Sequence, residues 1–185
     1  MLGQVFEAQG FYVPATLSFL HFLALEPASE RSKIAATHLL KLLNRGVEKT
    51  KKGTNITINP AERKDEGDYS GMQMFMGIFA AGAGLEDEKT KKKPTEMEAA
   101  VAQVSGVLGL FVEGKEGTDF TARVQRPFFA AMSEKKLTDV FIGIALGTLK
   151  LKGDHEWGVA HDKEISSYFD WIGPQLQPRM VPQGK

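Results

Sequence analysis

The stretch from Thr95 to Phe111 limits the fold more than any other part of the chain. It opens with Thr95 and Glu98 in the order T-x-x-E, directly after Pro94. A threonine hydroxyl can accept from the amide three residues on, while the glutamate reaches back to the threonine amide, so this pattern starts helices. Met97, Val101, Val104, Leu108 and Phe111 follow at steps of four, three, four and three. That spacing gathers five large apolar side chains on one face of an α-helix, and no strand would gather them. Gly114 and Gly117 end the pattern. A helix with such a face must bury it against other elements, so the question becomes what those elements are.

Most of the remaining chain also reads as helix. Val13–Glu26 is apolar nearly all round and predicts a helix buried on most sides. Arg31–Glu48 separates Lys33, Thr37, Lys41, Asn44, Arg45 and Glu48 from Ala35, Leu39, Leu42 and Leu43, with Gly46 as a stop. Asp68 can cap a helix beginning near Tyr69. Its apolar run, Met72 to Leu85 with only Gln73 intervening, is shorter than the ~20 residues of a membrane span. We expect it to be a buried helix. Thr118 is the expected cap of a helix carrying Phe120, Val124, Phe128 and Ala131, in which Pro127 predicts a kink or two short pieces. Leu137–Leu149 follows, and Asp154 can cap a last helix through Ile172 after the break at Gly153.

Between these helices, residues 48–67 and 86–94 form charged loops. "TNITIN" in the first alternates like a strand but finds no convincing partner, which predicts an extended loop. The expected architecture is all-α: one compact domain over residues 1–173 with about seven antiparallel helices, then a proline-rich tail over 174–185. Ile142-Gly143 and "LKLKGDHEWGVA" are similar to the tetratricopeptide repeat, whose small residue, inter-helix glycine and later alanine fix helix packing. The similarity covers about one helix pair and departs from the repeat's spacing by several residues. It implies stacked helical hairpins as one form of the all-α fold. "EKTKK" also occurs twice, at Glu48–Lys52 and Glu88–Lys92, but the flanks barely match and chance explains the pair.

Function is less constrained. Lys plus Arg and Asp plus Glu each number 23, whereas nucleic-acid binders usually carry a basic excess. No nucleic-acid partner is expected. Lys49, Lys51, Lys52, Lys89 and Lys91–Lys93 could form a local basic edge, for which a solvated surface is the ordinary explanation. The absence of cysteine excludes disulfides, thiolate metal sites and a cysteine nucleophile. The N-terminus lacks a basic and an apolar signal region, which predicts a soluble, cytoplasmic chain unless a signal peptide has been removed.

"DHEWGVAHDKE" holds His155, His161, Asp162 and Glu164, the candidate metal ligands. The two histidines are six residues apart, which points them ~120° away from each other around a helix. They cannot chelate one ion there, and His161 falls on the apolar stripe of Trp157, Ile165, Tyr168 and Ile172. His21 and His38 also read as structural. The His161-Asp162 dipeptide resembles the metal-dependent phosphohydrolases named for it, but neither His155 nor His38 supplies their upstream histidine at a fitting distance.

Glycines inside helices cost ~1 kcal/mol each relative to alanine. Close helix packing or a ligand cavity could offset that at Gly77, Gly82, Gly84, Gly106, Gly109, Gly143 and Gly147. Three functional readings follow. The leading one is a non-enzymatic module that binds a partner protein or peptide, with no catalytic residue and no cofactor nominated. The second is a carrier whose apolar pocket is lined by Met72, Met76, Gly77, Gly106 and Gly143. The third is a metal-dependent hydrolase built on the Asp154–Glu164 segment. Oligomeric state stays open.

Overall fold

A computed structural model describes residues 1–50, 53–57, 67–83, 85, 92–114 and 117–176. Among these residues there are nine α-helices, a short hairpin and one π-helical turn. The helices are α1 (Leu2–Ala8), α2 (Tyr12–Leu25), α3 (Glu30–Leu43), α4 (Ser70–Gly82), α5 (Glu96–Glu113), α6 (Arg126–Glu134), α7 (Thr138–Gly147), α8 (Asp154–Ala160) and α9 (Asp162–Leu176). The fold is all-α. No helix among the described residues is long and apolar enough to cross a membrane.

The capping box at the start of α5 forms: the Thr95 hydroxyl accepts from the Glu98 amide at 3.2 Å, and the Thr95 amide donates to Glu98 at 2.7 Å. All five apolar residues of its stripe are buried. Helix α5 packs against α4, α6, α7 and α8, so it links the two halves of the bundle. Helix α2 is buried along Val13–Leu20 and at Leu23 and Ala24, as its all-round apolar character predicts. It packs against α1, α3, α7 and the π-turn. Polar pins cross this core. Tyr168 Oη donates to the Ala24 carbonyl at 3.2 Å, and Gln125 Nε2 donates to Ser18 Oγ at 3.1 Å.

Several expectations need correction. Helix α1 carries no clear periodic signal, yet Phe6 is buried and Gly3 lies so close to the Phe19 ring that a Cβ would sit 2.8 Å from it. Glu7 fastens α1 to α3 through His38, at 2.6 Å, and Lys41, at 3.4 Å. The amphipathic pattern expected to reach Glu48 stops at Leu43. Val47–Thr50 (β1) instead pairs antiparallel with Gly53–Ile56 (β2), so the "TNITIN" region does find a partner. Gly46 allows the reversal: its φ is +76°, and a Cβ there would meet the Thr57 carbonyl oxygen at 2.2 Å.

The cap before α6 is Asp119, which accepts from the Ala122 amide at 3.0 Å, rather than Thr118. The Pro127 break takes the form of a π-turn, Thr121–Gln125, running into α6. The wider turn places Pro127 in the first turn of α6, where its missing N–H costs nothing. The expected last helix is two helices, parted at His161 (φ −116°, ψ 20°). The imidazole Nδ1–H and the backbone amide of His161 both address the Trp157 carbonyl there. Helix α9 then runs past the expected limit to Leu176. The bundle thus has two more helices than expected, α1 and the extra piece at the C-terminal end. Residues 51–52, 58–66, 84, 86–91, 115–116 and 177–185 lie outside the described residues. Most of the lysine-rich edge, the second "EKTKK" copy up to Lys91, Gly84 and the rest of the tail fall there.

Candidate functional site

The histidine segment does not converge. His155, Asp162 and Glu164 are exposed. His161 stacks on Trp157 with ring centroids 4.2 Å apart, and its Nδ1 lies 2.8 Å from the Trp157 carbonyl. Among the described residues no three His, Cys, Asp or Glu side chains could jointly hold a metal ion. The other imidazoles are also built into the packing. His21 lies against Phe128 at 4.9 Å, where burial lowers its pKa below 6.5. His38 stacks on Phe19 and meets Glu7.

The five residues of the carrier reading do not share one cavity either. A Cβ at Gly143 would fall 2.0 Å from Trp157 Cη2, so the indole occupies that space. A Cβ at Gly106 would fall 2.8 Å from Phe79, so Gly106 lets α4 approach α5. Met76 and Gly77 line a cavity of about 260 Å³ with Tyr12 and Arg45. Met72 opens instead onto a depression of about 760 Å³ beside Tyr69 and Phe111.

Helix α4 departs most from its sequence pattern. Only Met76, Gly77 and Ala80 are buried. Met74, Phe75 and Ile78 are 40%, 39% and 46% exposed, and Leu85 just beyond the helix is 69% exposed. Gly71, Met74, Phe75, Ile78 and Gly82 recur at helical spacing, so they share one outward face. Beside it, α5 presents Ala102, Gly106 and Gly109, with Glu98 and Glu113 at either end and no charge between. Among the described residues, a Cβ at Gly109 or Gly82 would meet nothing within 4 Å. Close packing therefore accounts for Gly106 and not for Gly109, although both lie inside α5.

The two helices run antiparallel, and a depression lies at each end of their seam. The start of α4 and the end of α5 border the one of about 760 Å³, lined by Met72, Phe75 and Leu110. The end of α4 and the start of α5 border one of about 660 Å³, lined by Ile78, Leu85, Pro94 and Ala102. The first has a braced polar wall. Tyr69 Oη donates to Asp119 at 2.7 Å, and the same carboxylate caps the π-turn. Burial first, and the adjacent carboxylate second, push the Tyr69 phenol well above its ordinary pKa of 10.0, so it stays a donor. Arg126 donates to the Phe111 carbonyl at 2.9 Å and covers the Phe111 ring. Gly67 and Gly117 leave room for the Asp119 carboxylate, since a Cβ on either would lie within 2.9 Å of it. π-Turns recur at functional sites, but this one also has the structural task of seating Pro127. The Tyr69–Asp119 contact joins residues 50 apart, and no local motif signals it.

Comparison with known proteins returned no matching family model, no similar curated protein and no similar solved structure. The function is therefore read from the geometry.

Proposed function

We propose that the protein is a helical interaction module that receives an amphipathic helix of a partner protein along the α4–α5 seam. The observation that supports this most is the outward apolar stripe of α4, Met74, Phe75 and Ile78, continued by Leu85. Isolated exposed apolar residues are ordinary, but a contiguous patch marks an interaction surface. Gly109 adds a second argument. An interior helix glycine costs ~1 kcal/mol, and none of the described residues occupies the space it leaves. An incoming helix would.

The dimensions suit such an occupant. From Gly71 to Gly82 there are eleven residue steps, or about 16 Å of helix axis, which matches roughly three turns of a partner. Bulky α4 side chains flank a floor of small α5 residues, and the depressions at each end can take one large apolar anchor apiece. Each anchor fully buried would contribute about 1.5–3 kcal/mol.

The test is selection of helical peptides from a displayed library, followed by titration of synthetic hits into the wild type and Ile78→Asp. Peptides that share spaced apolar anchors, compete with one another and lose binding to the variant support the reading. Hits that bind wild type and variant equally, or no saturable hits at all, overturn it.

A further inference from the structure

We propose that the cavity on the inner side of α4 is a second, separate site, which binds the carboxylate of a small organic acid through Arg45. It does not depend on the seam: Met76 and Gly77 face this cavity, whereas Met74, Phe75 and Ile78 face outward. The cavity lies where the end of α3, the exit of the hairpin and the middle of α4 meet. Its volume is about 260 Å³, room for roughly nine water-sized groups at ~30 Å³ each. That suits a small molecule and excludes a folded partner.

The chemistry of the walls selects the ligand class. Leu42 and Met76 supply apolar surface; Thr57 and Gln73 add polar side chains; among the described residues none that lines the cavity is acidic. Arg45 is the one charged side chain among the described residues of its lining. The Arg45 guanidinium carbon lies 3.5 Å from the Tyr12 ring centroid, which fixes the plane of the fork and leaves its edges for an acceptor. Glu7 on α1 is engaged by His38 and Lys41. Among the described residues Arg45 meets no carboxylate. A planar guanidinium beside apolar walls matches a carboxylate on an apolar body, and a carboxylate can take two of its N–H donors in parallel. The hairpin completes the wall, because the Thr57 amide donates to the Gly46 carbonyl at 2.7 Å.

The same carboxylate chemistry occurs in free acids and in a peptide C-terminus, and the experiment separates them. Sodium benzoate and sodium N-acetylleucinate are titrated into the full chain by two-dimensional amide NMR, with benzamide as the neutral isostere and sodium chloride as the ionic control. Saturable shifts at Gly46, Thr57 and Gly77 are expected with the acids, with benzamide at least tenfold weaker. Tighter binding of benzoate assigns a free acid, and tighter binding of N-acetylleucinate assigns a chain terminus. Arg45→Gln should weaken benzoate about tenfold or more, as befits loss of a charged hydrogen-bond donor, and Arg45→Lys should recover part of it. Arg45 is exposed and its removal leaves no buried group unpaired, so Arg45→Gln should lose only the ~0.5–1 kcal/mol of the cation–π contact with Tyr12, a few degrees of melting temperature at most, and Arg45→Lys less. Equal binding of benzoate and benzamide, shifts reproduced by chloride, no saturation, or unchanged benzoate binding in Arg45→Gln would each overturn the proposal.

Discussion

Gly143→Ala tests whether the interior glycines are filled by neighbouring rings. The added Cβ would lie 2.0 Å from Trp157 Cη2 and 2.1 Å from Cζ3. Carbon atoms in contact sit ~3.5–4.0 Å apart, so the indole must retreat by roughly 1.5 Å. It has little room. The ring is 8% exposed, and the His161 ring stacks on it at 4.2 Å. Overpacking of this kind costs ~1–3 kcal/mol, and so severe an overlap belongs at the upper end. Alanine returns ~1 kcal/mol of helix propensity. The net expectation is a loss of about 2 kcal/mol, or roughly 4–8 °C in melting temperature for a chain of this size. Urea unfolding followed by far-UV circular dichroism measures it without relying on tryptophan emission. With Trp157→Ala as background the clash is gone, and Gly143→Ala should then stabilise by about 1 kcal/mol, a coupling of about 3 kcal/mol. A loss below ~0.5 kcal/mol, or the same effect in both backgrounds, would refute the packing argument.

Thr95→Ala removes the cap of α5 and should cost about 1 kcal/mol in the same unfolding assay. Hydrogen bonds from Thr95, first its amide and then its hydroxyl, hold the Glu98 carboxyl below its ordinary 4.5, so the variant's Glu98 should titrate closer to that value by NMR. Burial lowers the His21 pKa, so the unfolded chain binds that proton more readily than the folded one. The resulting stability is full above about pH 6.5 and is lost as pH falls through the lower folded value. Melting temperature measured from pH 7 downward should decline through this term, and His21→Phe should flatten the decline; an unchanged slope would show that His21 does not contribute. Phe75→Ser removes a ring that is 39% exposed, so it should cost less than the ~3–5 kcal/mol of a fully buried phenylalanine while weakening peptide binding at the seam, as read by titration.

The seam and the Arg45 cavity were legible in the sequence to different degrees. The capping box, the five-residue stripe of α5 and the all-round apolar α2 depend on neighbours one turn away, and each is seen as read. Helix α4 was misread because a continuous apolar run has the same letters whether it faces a core or lies at a surface. Among the described residues its partners are α5, the hairpin and, more lightly, α2 and α3, none of which covers its outer face. No local pattern encodes that. Met76 and Gly77 were among the residues expected to line a pocket, but Arg45 and Tyr12, which give the cavity its charge and its aromatic support, read only as a helix residue and part of the N-terminal stretch. Their contact spans 33 residues and forms only when α2 and α3 dock.

By itself the sequence determined the helical class, most helix starts and stops, and which faces of α2, α3 and α5 turn inward. Hydrogen bonding within a helix, capping and amphipathic spacing act over three or four residues and are written locally. Tertiary structure alone decided that rings fill Gly106 and Gly143, that none of the described residues fills Gly109, that α4 keeps an apolar face outward, and that Arg45 rests on Tyr12. Those outcomes depend on which surfaces meet across long separations, where close packing admits one neighbour and leaves no place for another.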